Sequence, residues 1–236
     1  MTLAQMKGFT MIFAIYGFFC GFIIPYVARR LAKICPASPS EVLWRLIIPS
    51  KHQGLKQYVQ NEKYKTLAYG YWWRSVVYGM VNSVLFCAAS TTFMPLGLGG
   101  ILALFWALML LAEIDYRTYL LPDVITVPLL IGGFFFSCYY GSWIIGIESA
   151  VGAIAGYILP VFAGVLIAWK HSDAFGGGDV KLLAAVGAWL GILPVIYTIL
   201  LSCCLFAVFA FVMKRRAGAF GPAISIAAIM VAFYFF

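Results

Sequence analysis

The chain has 236 residues, of which 64% are hydrophobic and only 10% charged. Soluble domains carry about 25% charged residues, so a soluble globular protein is excluded. The 16 Lys and Arg against 8 Asp and Glu leave a net charge of +8; beside a bilayer such a surplus orients the chain and attracts anionic lipid, and it calls for no nucleic-acid partner.

A membrane span needs about 20 apolar residues and must be a helix or part of a closed barrel. The apolar runs here are long and unalternating, which excludes a barrel. They predict an all-α polytopic membrane protein of about eight transmembrane helices, near residues 9–28, 75–93, 96–114, 124–143, 147–169, 180–193, 194–213 and 218–236. The first run follows Lys7, has no small-x-small cleavage site and precedes Arg29 and Arg30, so it is expected to be a membrane helix rather than a signal peptide. The sixth is short, a half-span or a tilted entry, with its far turn at Gly191, Leu193 and Pro194. With alternating sides, only Lys7 of the 16 basic residues falls outside. The N-terminus is therefore expected outside, with one large cytoplasmic loop at 29–74. Residues 1–94 form the N-terminal spans with that loop, and 95–236 a six-span core.

Between these spans a few polar features stand out. Tyr69, Tyr71, Trp72 and Trp73 read as an interfacial aromatic belt. Gly152-x-x-x-Gly156 and Gly187-x-x-x-Gly191 are small-xxx-small patterns for close helix packing. The cysteines, Cys20, Cys35, Cys87, Cys138, Cys203 and Cys204, include no C-x-x-C pair, so a cysteine zinc site is not expected. His52 and His171 are too few for a histidine metal cluster or a Ser-His triad and read as solvated loop residues. No metal is expected.

The eight acids are Glu41, Glu62, Glu113, Asp115, Asp123, Glu148, Asp173 and Asp179. Asp179 follows Gly176-Gly177-Gly178 and opens the sixth span. The glycines remove every side chain beside the carboxylate, permit φ > 0 and would let another backbone approach. An Asp there can equally be a solvated helix cap. Asp115 ends span three at the same border. Glu113, two residues earlier, points elsewhere on a helix. Asp123 follows Pro122 and opens span four, where capping is its simplest role. Two carboxylates brought close share a proton, so one acid and one base coexist. Such a pair can activate water against a peptide carbonyl without a metal.

Acids within membrane segments also mark ion paths, so a transporter or channel is the alternative from another class. A non-catalytic assembly scaffold is a third.

The motifs resemble the type IV prepilin peptidase family of membrane aspartic proteases. Gly176-Gly177-Gly178-Asp179 fits its Gly-x-Gly-Asp motif, continued by Val180-Lys181-Leu182 and by Gly187-Ala188-Trp189-Leu190-Gly191. Ile114-Asp115, Leu121-Pro122-Asp123 and Thr126-Val127-Pro128-Leu129 are similar to the other catalytic region, and Phe220-Gly221-Pro222-Ala223 to the last-helix motif. The match covers roughly residues 100–230. The resemblance implies a bacterial inner-membrane enzyme that cuts the basic leader from prepilins or pseudopilins at the cytoplasmic border, with Asp115 and Asp179 as the catalytic pair. Its partners would be the prepilin substrate and the bilayer. Gly176, Gly178 and Lys181 would line the substrate, and Glu113, Asp123 or Asp173 would meet the leader's positive charges. A bifunctional member also methylates the new N-terminus with S-adenosylmethionine. Proteolysis needs no cofactor. The chain departs from many members in its first loop, which holds Cys35 but no paired C-x-x-C motifs.

Overall fold

A computed structural model describes residues 3–34, 71–93, 95–140, 144–168, 176–213 and 218–236 of the chain. Among them lie eight α-helices: α1 Leu3–Ile34, α2 Tyr71–Thr92, α3 Pro95–Thr118, α4 Asp123–Tyr140, α5 Gly146–Ala168, α6 Gly177–Leu190, α7 Ile192–Met213 and α8 Gly221–Phe235. Each coincides with a predicted span. Five are long and apolar enough to cross a membrane, over Thr10–Leu31, Tyr71–Thr92, Gly97–Thr118, Gly146–Val165 and Ile192–Met213. The protein is thus an all-α, multi-spanning membrane protein. Large apolar side chains stand outward, such as Phe211 at 85% and Phe135 at 69% exposure. In water such a surface would associate; against lipid tails it meets its own kind. Trp72 and Trp73, expected in an interfacial belt, are also exposed.

The chain divides into two compact units, Met1–Thr118 and Tyr119–Phe236. In the first, α1 packs along α2 with almost no side-chain layer between them. A Cβ on Gly17 would sit 2.6 Å from the Asn82 carbonyl oxygen, and one on Gly79 would sit 3.0 Å from the Phe18 ring. Small residues let backbones approach where no hydrophobic force drives helices together. α3 joins α1 through Trp106, whose Nε1–H donates to the Cys20 carbonyl at 2.9 Å.

In the second unit α6 packs against α4, α5, α7 and α8. Val180 and every residue from Leu182 to Leu190 are buried. The two small-residue patterns face each other. A Cβ on Gly152 would run into the backbone of Gly187 and Gly191, and one on Gly156 into that of Leu183 and Ala184. Ser149 Oγ–H donates to the Ala188 carbonyl at 2.6 Å in the same seam. On the α4 side, Trp189 Nε1–H donates to the Leu129 carbonyl at 2.7 Å, and its ring stacks on Phe136 at 5.1 Å. The motif Gly187–Gly191 is therefore a packing element that seats α6 between α4 and α5. At 14 residues α6 rises only about 21 Å, short of the ~30 Å hydrocarbon core, as its short apolar run predicts. It ends at Gly191, whose φ of 88° is the left-handed turn that favours glycine.

Candidate active site

Asp179 lies in the first turn of α6. Gly176 is the N-cap, so Asp179 is three positions into the helix and is not itself the cap. Its amide donates to the Gly176 carbonyl at 3.1 Å. A carboxylate in a first turn is favoured by the unmatched N–H groups there. For Gly176 and Gly178 the reason is space rather than a left-handed backbone: Gly176 has φ −70° and ψ 136°, and Gly191 is the one described glycine with positive φ. The freedom to take φ > 0 that the triple glycine permits is thus not used there. A Cβ on Gly176 would stand 3.1 Å from Asp179 Oδ2, so the missing side chain leaves room for the carboxylate. A Cβ on Gly178 would stand 2.8 Å from Leu121 Cβ, while one on Gly177 would meet nothing within 4 Å.

The connection before α4 runs beside this turn. Its first residue, Tyr119, takes φ 55° and ends α3 as a left-handed C′ residue, the position glycine usually fills. Asp123 opens α4. Its carboxylate is not a cap: Lys181 Nζ donates to both of its oxygens at 2.8 Å. Both side chains are 45% exposed. The amides of Ile125 and Thr126 instead reach the Pro122 carbonyl at 3.0 and 3.2 Å.

Asp115 belongs to the first unit. Predicted at the very end of a span, it lies one residue inside the last turn of a longer helix and is 5% exposed. α3 continues to Thr118, whose Oγ1–H donates back to the Ile114 carbonyl at 2.7 Å. Glu113 is also buried, at 2% exposure. Tyr78 O–H donates to its Oε2 at 2.7 Å, the Arg74 guanidinium pairs with its Oε1, and Arg117 Nε stands 3.7 Å from that same oxygen. Arg117 also lies over the Tyr116 ring at 5.3 Å. Glu113 thus holds α2 to α3.

Arg74 and Tyr78 hold Glu113 without having been singled out from the sequence, and Leu121 was noted only as part of the Leu121-Pro122-Asp123 run. The four-residue spacings Arg74–Tyr78 and Glu113–Arg117 were the available signal, since residues four apart share a helix face. Of the acids expected to meet a substrate's positive charges, Glu113 and Asp123 already hold cations of this chain. Asp173 lies outside the described residues, as do His52, His171 and Cys35. Among the described residues, Cys20, Cys87, Cys138, Cys203 and Cys204 are free thiols, and no three His, Cys, Asp or Glu side chains gather.

These features define a multi-pass helical membrane protein with acids in the end turns of its helices. Residues 102–211 match the model of the type IV leader peptidase family. Relatives include the prepilin leader peptidase/N-methyltransferase of Dickeya chrysanthemi, 43% identical over 124 residues, covering 50% of this chain and 42% of the relative. The protein of the same name from Escherichia coli (strain K12) is 40% identical over 151 residues, covering 60% and 65%. That of Neisseria gonorrhoeae is 40% identical over 124 residues, covering 50% and 43%. No solved structure matches. Over residues 102–211 the chain is similar to the type IV leader peptidase family. It spans less than two thirds of the length of these relatives.

Proposed function

We propose that this protein is a membrane aspartic endopeptidase that removes the basic leader of a type IV prepilin or pseudopilin at the cytoplasmic membrane border. One observation carries the reading: the family match over 102–211 contains both Asp115 and Asp179, each in an end turn of a helix. The two act as a pair, with residues 95–236 as the peptidase core. One carboxylate, ionised, takes a proton from the attacking water; the other, protonated, donates to the scissile carbonyl as the tetrahedral intermediate forms. The proton taken from water then passes to the leaving amine as the C–N bond breaks, and the proton lent to the carbonyl oxygen returns to its carboxylate, which leaves a carboxylic acid, an amine and the pair as it began.

The topology suits that chemistry: eight spans, the N-terminus outside and 29–74 in the cytoplasm. A prepilin's apolar helix would lie in the bilayer with its leader among the cytoplasmic groups. Gly176 leaves Asp179 open on the side where a substrate backbone would arrive. Asp173 is the acid we assign to the leader's charges, since Glu113 and Asp123 are engaged within the fold.

Methyl transfer from S-adenosylmethionine would need polar groups for its amino-acid and ribose parts. The groove of about 550 Å³ described between α7 and α8 is lined by Tyr197, Leu200, Leu201, Met230, Val231 and Phe235, and is too apolar to fit it.

The test is cleavage of a co-expressed prepilin, read by mass spectrometry of its N-terminus, which also reports any added methyl group. Asp115→Asn and Asp179→Asn should each abolish the new N-terminus while the protein still inserts. Full processing by either variant refutes the pair.

A further inference from the structure

Asp179 is bracketed by one short stretch of chain. Leu121 to Asp123 run beside the first turn of α6 and touch it on both sides of the aspartate. Before it, Gly178 lies so near Leu121 that an added Cβ would be 2.8 Å from the Leu121 Cβ. After it, Lys181 grips both oxygens of Asp123. Asp179 and Lys181 are two apart on one helix, so they point to different sides.

That turn has reasons to unwind. Its first amides have no intrahelical partners, its N-cap Gly176 supplies no side-chain bond, and three consecutive glycines gain much freedom when they fray. An ion pair 45% exposed on both sides shifts an equilibrium by no more than about fivefold, too little to decide global stability. It is enough to bias a local one, between a wound first turn and a frayed one.

We propose that Asp123 and Lys181 are positioning residues for Asp179. Their ion pair, with the Leu121–Gly178 contact, clasps the glycine-rich start of α6 to the start of α4 and fixes the carboxylate for the reaction. They neutralise each other and touch no substrate. This rests on the peptidase reading above.

The test compares the wild type with Asp123→Asn, Lys181→Met, Lys181→Arg and the charge swap Asp123→Lys/Lys181→Asp. Two quantities are read: prepilin cleavage kinetics, and amide hydrogen exchange over residues 176–182 in the intact detergent-solubilised protein. The two neutralised variants should lose kcat roughly fivefold at unchanged KM, with faster exchange in that turn. Lys181→Arg and the swap should recover both quantities to within about twofold. A rise in KM at unchanged kcat, erased by a leader with fewer basic residues, would mean that Asp123 reads the leader, and overturns the proposal. So does unchanged exchange in the neutralised variants. Should the wild type cleave no better than Asp179→Asn, the peptidase reading fails and takes the catalytic role with it; the exchange data then report the clasp by themselves.

Discussion

Glu113→Gln removes one charge from a cluster the membrane protein keeps out of water. The Glu113 side chain is 3% exposed, that of Arg74 11% and that of Arg117 24%. Glutamine retains an acceptor for the Tyr78 hydroxyl, so the shape and one hydrogen bond survive. What is lost is a carboxylate that faces two guanidinium groups. Removing one partner of a buried pair costs about 3–5 kcal/mol, because the other charge stays buried. Arg117 is partly exposed and can turn toward water, which places the cost near the lower end, about 3 kcal/mol. For a chain of this size that lowers the melting temperature by roughly 6–12 °C. The comparison is Asp123→Asn, which breaks a half-exposed pair worth only about 0–1 kcal/mol. Both are measured by thermal unfolding of detergent-solubilised protein. The double change Arg74→Met/Glu113→Met, which removes both charges, should cost less than either single change. If Glu113→Gln melts no lower than Asp123→Asn, burial does not set the strength of these pairs and the reasoning fails.

Gly187→Val should destabilise by about 1–3 kcal/mol in the same assay, because its side chain would meet the Gly152 backbone and would come within 3.0 Å of the Ala153 nitrogen. Gly177→Ala, with nothing within 4 Å, should be neutral or stabilise by up to about 1 kcal/mol; a matching loss at both sites would refute the packing account. Gly178→Ala should slow cleavage, and adding Leu121→Ala should restore it by vacating the space 2.8 Å away; no rescue in the double variant would show that the contact is irrelevant. Trp189→Phe keeps the stacking on Phe136 and loses one hydrogen bond, for about 1 kcal/mol, whereas Trp189→Ala should cost about 3–5 kcal/mol.

How much of this was legible in the residues differs by feature. The helices were, because each span must satisfy its own backbone in lipid and so announces itself as a long apolar run. The shortness of α6 was legible in the same way, from the distance between the triple glycine and Gly191. The small-residue seams were visible as a pattern, but not their mates. That Gly152 faces Gly187, and Gly156 faces Leu183, follows from which two helices meet and in which register. One helix end was misjudged for a related reason: apolarity stops near Ile114, yet α3 runs to Thr118 because the backbone ladder that makes a helix does not depend on apolar side chains.

The sequence by itself determined a membrane protein of about eight apolar helices, with two aspartates each near a helix end. Their motifs were local in the chain and therefore readable. Tertiary structure alone decided what the neighbouring charges do. Glu113 and Asp123 look alike as acids beside a membrane border, yet one is buried against Arg74 and Tyr78 from a helix 35 residues away and the other clasps Lys181 across 58 residues. A charge finds its counter-charge through space, and a buried one must do so because the cost of leaving it unpaired grows as water is withdrawn.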